Sequence, residues 1–149
     1  MGALPISSRT RTLALFEVIA GACLVVAAAV MPWATYRDVL ANKTTEFHGG
    51  ALGVTLVGVG VLSIALAVLG AARESMWVRG MQIVVASAAL LVSIVLALQK
   101  ISSANHVVAE GLSQTSYALG AAVGVVASLA LVIASVLAFT TAERLEQLR

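Results

Sequence analysis

The stretch 27-AAAVMPWATYRDVL-40 joins two kinds of sequence. Upstream of it, from about residue 12, almost every position is apolar. After Pro32-Trp33 the chain turns polar within four residues, and Arg37 and Asp38 follow. Such an edge is either the mouth of a binding site or the point where a helix leaves a membrane. Trp33 and Tyr36 are the interfacial kind of aromatic, apolar at one end and hydrogen-bonding at the other, which suits headgroup depth. Pro32 is tolerated at the end of a helix, where it disturbs only the last turn. The segment is therefore read as a helix exit with an interface anchor. Trp77 and Tyr117 are read as anchors at two further span ends.

The rest of the chain supports a membrane setting. Of 149 residues, 60% are hydrophobic and 11% charged, against about 25% charged in an ordinary globular domain. Four apolar runs, near 12–33, 49–72, 76–98 and 118–140, each reach the roughly 20 residues that a helix needs to cross hydrocarbon. They are uniformly apolar instead of alternating, and backbone polar groups in lipid must bond internally, so each is expected to be an α-helix. The expected fold is an all-α, polytopic bundle of four transmembrane helices in one domain. The first run is longer than the core of a signal peptide. Ala20 stands where a lipoprotein site at Cys23 would want a bulky aliphatic, so this run is read as a retained span.

Arg9, Arg11, Arg73, Arg79, Arg144 and Arg149 fall on one side of this topology. Arg37, Lys43 and Lys100 fall on the other. The positive-inside rule then puts both termini in the cytoplasm of a cell whose plasma membrane holds the protein. The second and fourth runs also resemble each other. An offset of 67 pairs Leu52 with Leu119, Gly53 with Gly120 and Val59 with Val126, and roughly lays the first run over the third. This fits two tandem hairpins of the same orientation, or a likeness produced by Ala/Val/Gly/Leu composition alone.

Chemistry is sparse. A net charge of +2 without a basic, aromatic-interleaved stripe argues against nucleic acid. One cysteine excludes an intramolecular disulfide and a multi-cysteine metal centre. No phosphate-binding loop, zinc-protease helix or nucleophile elbow is present. Asp38, Glu46 and His48 lack ligand spacing, so this first outer segment is read as a solvated cap. His48 and His106 fall on the same side as two surface histidines or a pH-sensitive pair. In the second outer segment Ile101, Val107, Val108 and Leu112 suggest an amphipathic turn on the interface. No catalytic residue, metal or cofactor is expected.

Two features remain. Glu17 lies about one and a half turns inside the first span, where a carboxylate is costly and functional by default. Arg79, at similar depth in the third, is its expected ion-pair partner, with Gln82 extending the cluster. Gly53, Gly58, Gly60, Gly120, Gly124 and Ser128 are small residues at spacings that let helices pack closely.

With its Arg-flanked first span, the exit at Pro32-Trp33, a short outer loop and Ala/Val/Gly/Leu-rich hairpins, the chain resembles small four-span membrane proteins of actinobacteria. It is faintly similar to the tryptophan-associated transmembrane family. That resemblance implies architecture and no catalysis. The function expected is a non-catalytic accessory or scaffold subunit, in lipid, packed against a larger membrane complex or against itself. The alternatives are a small oligomeric transporter or channel using Glu17 and Arg79, and a sensor acting through the tail TAERLEQLR. A reporter fused after Arg149 is expected to read out as cytoplasmic; an extracytoplasmic signal would reverse the topology.

Overall fold

The computed structural model describes residues 6–38, 42–73, 75–107 and 113–147. Helices α1 (Ile6–Ala29), α2 (Gly50–Arg73), α3 (Met76–Val107) and α4 (Leu119–Glu146) account for the four apolar runs. Each contains a stretch long and apolar enough to cross a membrane. α1 packs against α2 and α4, and α3 against the same two. The helices thus stand in a square in chain order, with α1 and α3 across the diagonal. The start of α1 and the end of α4 lie at one end of the square with the link between α2 and α3.

The other end carries something the sequence reading left out. Strands β1 (Ala34–Asp38), β2 (Lys43–Phe47) and β3 (Ser113–Tyr117) form an antiparallel sheet in the order β2-β1-β3. Ala34 faces Phe47 on one side and Tyr117 on the other. These partners are 70 positions apart, three out of step with the offset that relates the spans. The expected solvated cap is therefore an ordered hairpin. Thr, Tyr and Phe favour strands, and Asn42, at φ 48°, adopts the left-handed turn conformation that Asn tolerates. The expected interfacial turn is replaced as well. α3 stays helical through Val107, about 48 Å of helix against a hydrocarbon core of about 30 Å. Its last turns rise beside β1 and β3, and Ala104 is buried there. Val108 and Leu112 lie outside the described residues.

Close helix approach depends on glycine at particular sites. A Cβ on Gly60 would come within 2.7 Å of Val25 Cγ2, and one on Gly21 within 2.8 Å of Ile64 Cγ1. α1 and α2 therefore cross through each other's glycines, Gly21 being a contributor that the sequence reading did not single out. Gly53 sits against the Ala28 carbonyl, and Gly120 against Pro32. Gly58 has open space around it and does not pack. It is two residues from Gly60, on the other side of the helix.

Trp33 corrects the reading of the opening segment. It is not an interfacial anchor. Its side chain is fully buried, with the indole lying on Gly124 of α4, where any Cβ would collide with the ring. Its Nε1 donates to the Ala27 carbonyl at 3.0 Å, one of the last carbonyls of α1 that the helix leaves free. Its backbone N–H donates to Phe47 O at 2.8 Å, and its carbonyl accepts from Ala118 N at 3.2 Å. Around it Leu24, Leu56 and Leu96 form the main apolar core. Trp33→Ala is expected to cost about 3–5 kcal/mol, read as a large drop in the unfolding midpoint in detergent. Gly124→Val should do comparable damage and Gly58→Ala very little; equal effects at the two glycines would refute this packing.

Candidate functional site: a polar cluster inside the bundle

Polar side chains in the bundle interior fall into two tiers. Near mid-height, the Ser128 hydroxyl on α4 approaches Ser93 Oγ on α3 at 3.0 Å and also the Gly124 carbonyl of its own helix. Serines serve here because a hydroxyl can bond back to its helix and still meet a neighbour, for about 0.6 kcal/mol per interhelical bond.

The second tier lies toward the termini and draws on all four helices. Glu17 of α1, Ser63 of α2, Arg79 and Gln82 of α3, and Ser135 of α4 are all buried; the exposures of Glu17, Arg79 and Gln82 are 3%, 5% and 2%. The Glu17 carboxyl lies near Ser135, whose hydroxyl donates to Leu131 O at 2.8 Å. Gln82 Nε2 donates to Ser63 Oγ at 2.8 Å. Arg79 Nη2 donates to Gly70 O at 3.3 Å. Gly70 is in the last turn of α2, where four carbonyls lack a partner within the helix. Arg79 thus caps α2 from the start of α3, and its charge complements the negative end of that helix. Arg79 Nε and Gln82 Oε1 are buried without a partner.

Glu17 and Arg79 are therefore brought into one cluster, and the Arg79 charge acts on Glu17 across the diagonal. They are not in direct ion-pair contact. Arg79 is anchored to α2 beside it, and Glu17 lies next to Ser135 of α4. Their depth is legible from position in the chain, but which helices are neighbours is not, and so Ser135 and Gly70 were missed as the groups beside them.

Of the remaining aromatics, Trp77 is 83% and Tyr117 56% exposed, while Tyr36 is half-buried in β1. His48 Nε2 lies 3.8 Å from Glu46 Oε2 at the exposed edge of the sheet. The His106 side chain is outside the described residues. Among the described residues no three His, Cys, Asp or Glu side chains gather in a way that could hold a metal ion. What the cluster can do chemically is hold helices together and keep a carboxyl group and a guanidinium near each other in a low-dielectric interior.

No protein-family model matches the chain, and neither a curated protein nor a solved structure is significantly similar to it.

Arg79→Leu is expected to destabilise the protein by about 1–3 kcal/mol, because the Gly70 carbonyl is left buried without a donor. Glu17→Gln should cost less. In a double-mutant cycle read by denaturant unfolding in micelles, their coupling should stay below about 1 kcal/mol, as suits charges that do not touch. A coupling of several kcal/mol would mean a direct pair.

Proposed function

We propose that the chain is a non-catalytic accessory or scaffold subunit of a larger membrane complex. It crosses a bacterial plasma membrane four times with both termini in the cytoplasm. The observation that carries this reading is the use made of the interior. Ser63, Ser128, Ser135, Gln82 and Arg79 bond within the bundle, with Glu17 buried beside Ser135, and the half toward the sheet is filled by Trp33, Leu24, Leu56 and Leu96. Transport usually requires polar groups strung across the membrane, and here they stop at mid-height. The orientation is supported by charge: Arg73, Arg79 and Arg144 lie toward the termini, and Arg37, Lys43 and Lys100 toward the sheet.

Tandem hairpins remain part of the proposal. β2 leads into α2 and β3 into α4, and both strands flank β1. The resemblance to the tryptophan-associated transmembrane family adds architecture to this reading and no activity.

One observation favours a second reading, a small oligomeric transporter. Arg79 Nε and Gln82 Oε1 are a buried donor and acceptor with no partner, which is costly unless something occupies them. A sensor acting through the tail is the third, since α4 runs on to Glu146. Affinity purification from native membranes in mild detergent separates these. A larger membrane protein recovered in stoichiometric amount is the expected result. A homo-oligomer without a partner, with liposome flux abolished by Glu17→Gln, would overturn it in favour of transport.

A further inference from the structure

Within the inner cluster, Arg79 Nε and Gln82 Oε1 are buried and meet no partner among the described residues. Their residues are 5% and 2% exposed. Three positions apart on α3, they share one face of that helix. Both side chains reach α2, where Arg79 Nη2 donates to Gly70 O and Gln82 Nε2 donates to Ser63 Oγ. Each planar group is held in the interior by that bond, and its other polar atom stays there with it. Glu17 lies at a height between the two bonds. Gly21 of α1 meets Gly60 and Ile64 of α2. Glu17 is one turn nearer the termini, and on antiparallel α2 one turn in that direction leads to 64–68, between Ser63 and Gly70. The Arg79 charge acts on Glu17, although the two do not touch.

We propose that one structural water is bound among these three side chains. Its oxygen accepts from Arg79 Nε–H, and its two protons go to Gln82 Oε1 and to a Glu17 carboxyl oxygen. The unpartnered atoms ask for one acceptor and one donor in a single small ligand. The carboxyl adds a third bond, and it has an oxygen able to accept whether or not it carries a proton. Buried waters typically make about three bonds to groups that are otherwise unsatisfied. A water also spans about 4.5 Å between the groups it joins, as suits charges that feel each other without touching. A larger polar ligand would bring groups that the site cannot answer, because Leu66 and Ala67, on α2 between Ser63 and Gly70, are buried and apolar. The water ties α1 to α3, the diagonal pair of the square. The inference goes beyond the proposed function, because it holds whether or not a partner subunit exists. It also bears on the rival reading, since a resident water satisfies the donor and acceptor that would otherwise call for a substrate.

The test is water-edited solid-state NMR on the full chain, labelled with 15N-arginine, in bilayers of phosphatidylglycerol and phosphatidylcholine. The Arg79 Nε signal is assigned by its loss in Arg79→Lys. Magnetisation from water is expected to reach buried Arg79 Nε as it reaches exposed Arg144. Glu17→Gln keeps an acceptor and should leave the transfer intact. Glu17→Leu, with helix content unchanged, should weaken it by about threefold, because the water loses one of its three bonds. If that variant does not fold, Gln82→Met removes the other acceptor and should have the same effect. An Arg79 Nε that receives nothing from water overturns the proposal. So does a transfer that survives loss of either acceptor, since that water would be held at the headgroups and not by the cluster. Native mass spectrometry of the protein in mild detergent supplies a further check: a retained small molecule that Gln82→Met releases would make the occupant a substrate and overturn the assignment to water.

Discussion

Four separate pieces of this protein meet on the indole and backbone of Trp33. Its ring nitrogen closes a carbonyl at the end of α1, its amide and carbonyl continue the ladders to β2 and toward α4, and its ring fills the space that Gly124 leaves open. In hydrocarbon no water is available to satisfy a helix end. A span that stops and turns must find partners for its last carbonyls in the protein. Trp33 supplies one of them and at the same time fixes where α4 begins. The sheet can then form directly over the bundle, because β1 starts one residue later.

The opposite end of the bundle solves the same problem with charge. The last turn of α2 also has carbonyls to satisfy, and there the donor is the Arg79 guanidinium from the next helix. Glu17 lies across the diagonal from that charge without touching it. An arginine placed to cap a helix must be buried with its stem among apolar side chains, and a buried cation is tolerated better with an anion nearby. A carboxyl group deep in the first span thus has a structural cause in the second and third.

What was legible in the sequence was what local pattern controls. The apolar runs announced the four helices because a bilayer demands length and continuity. Glu17 and Arg79 stood out because charge is rare in such runs. The strands were hidden by their brevity, although Thr44, Thr45 and Phe47 beside Asn42 offered a hairpin signal. The pairing of β1 with β3 depends on residues far apart in the chain and leaves no local trace. Trp33 was misplaced for the same reason: the headgroup preference of tryptophan is local, while its pocket is a glycine on the last helix. Gly58 was an avoidable misreading, since its spacing from Gly53 and Gly60 already puts it on a different face.

The order of strands in the sheet has a consequence for assembly. β1 is made early and pairs at once with β2, but its other edge waits for β3, which follows synthesis of α2 and α3. Chains are built and begin to fold from the N-terminus, so the first hairpin is made with an unpaired strand edge and an unfilled ring surface on Trp33. Only a third helix threaded in the correct direction delivers β3 to that side. The sheet thus closes only when α3 has packed so that β3 reaches β1, and it leaves an open edge on β1 when it has not.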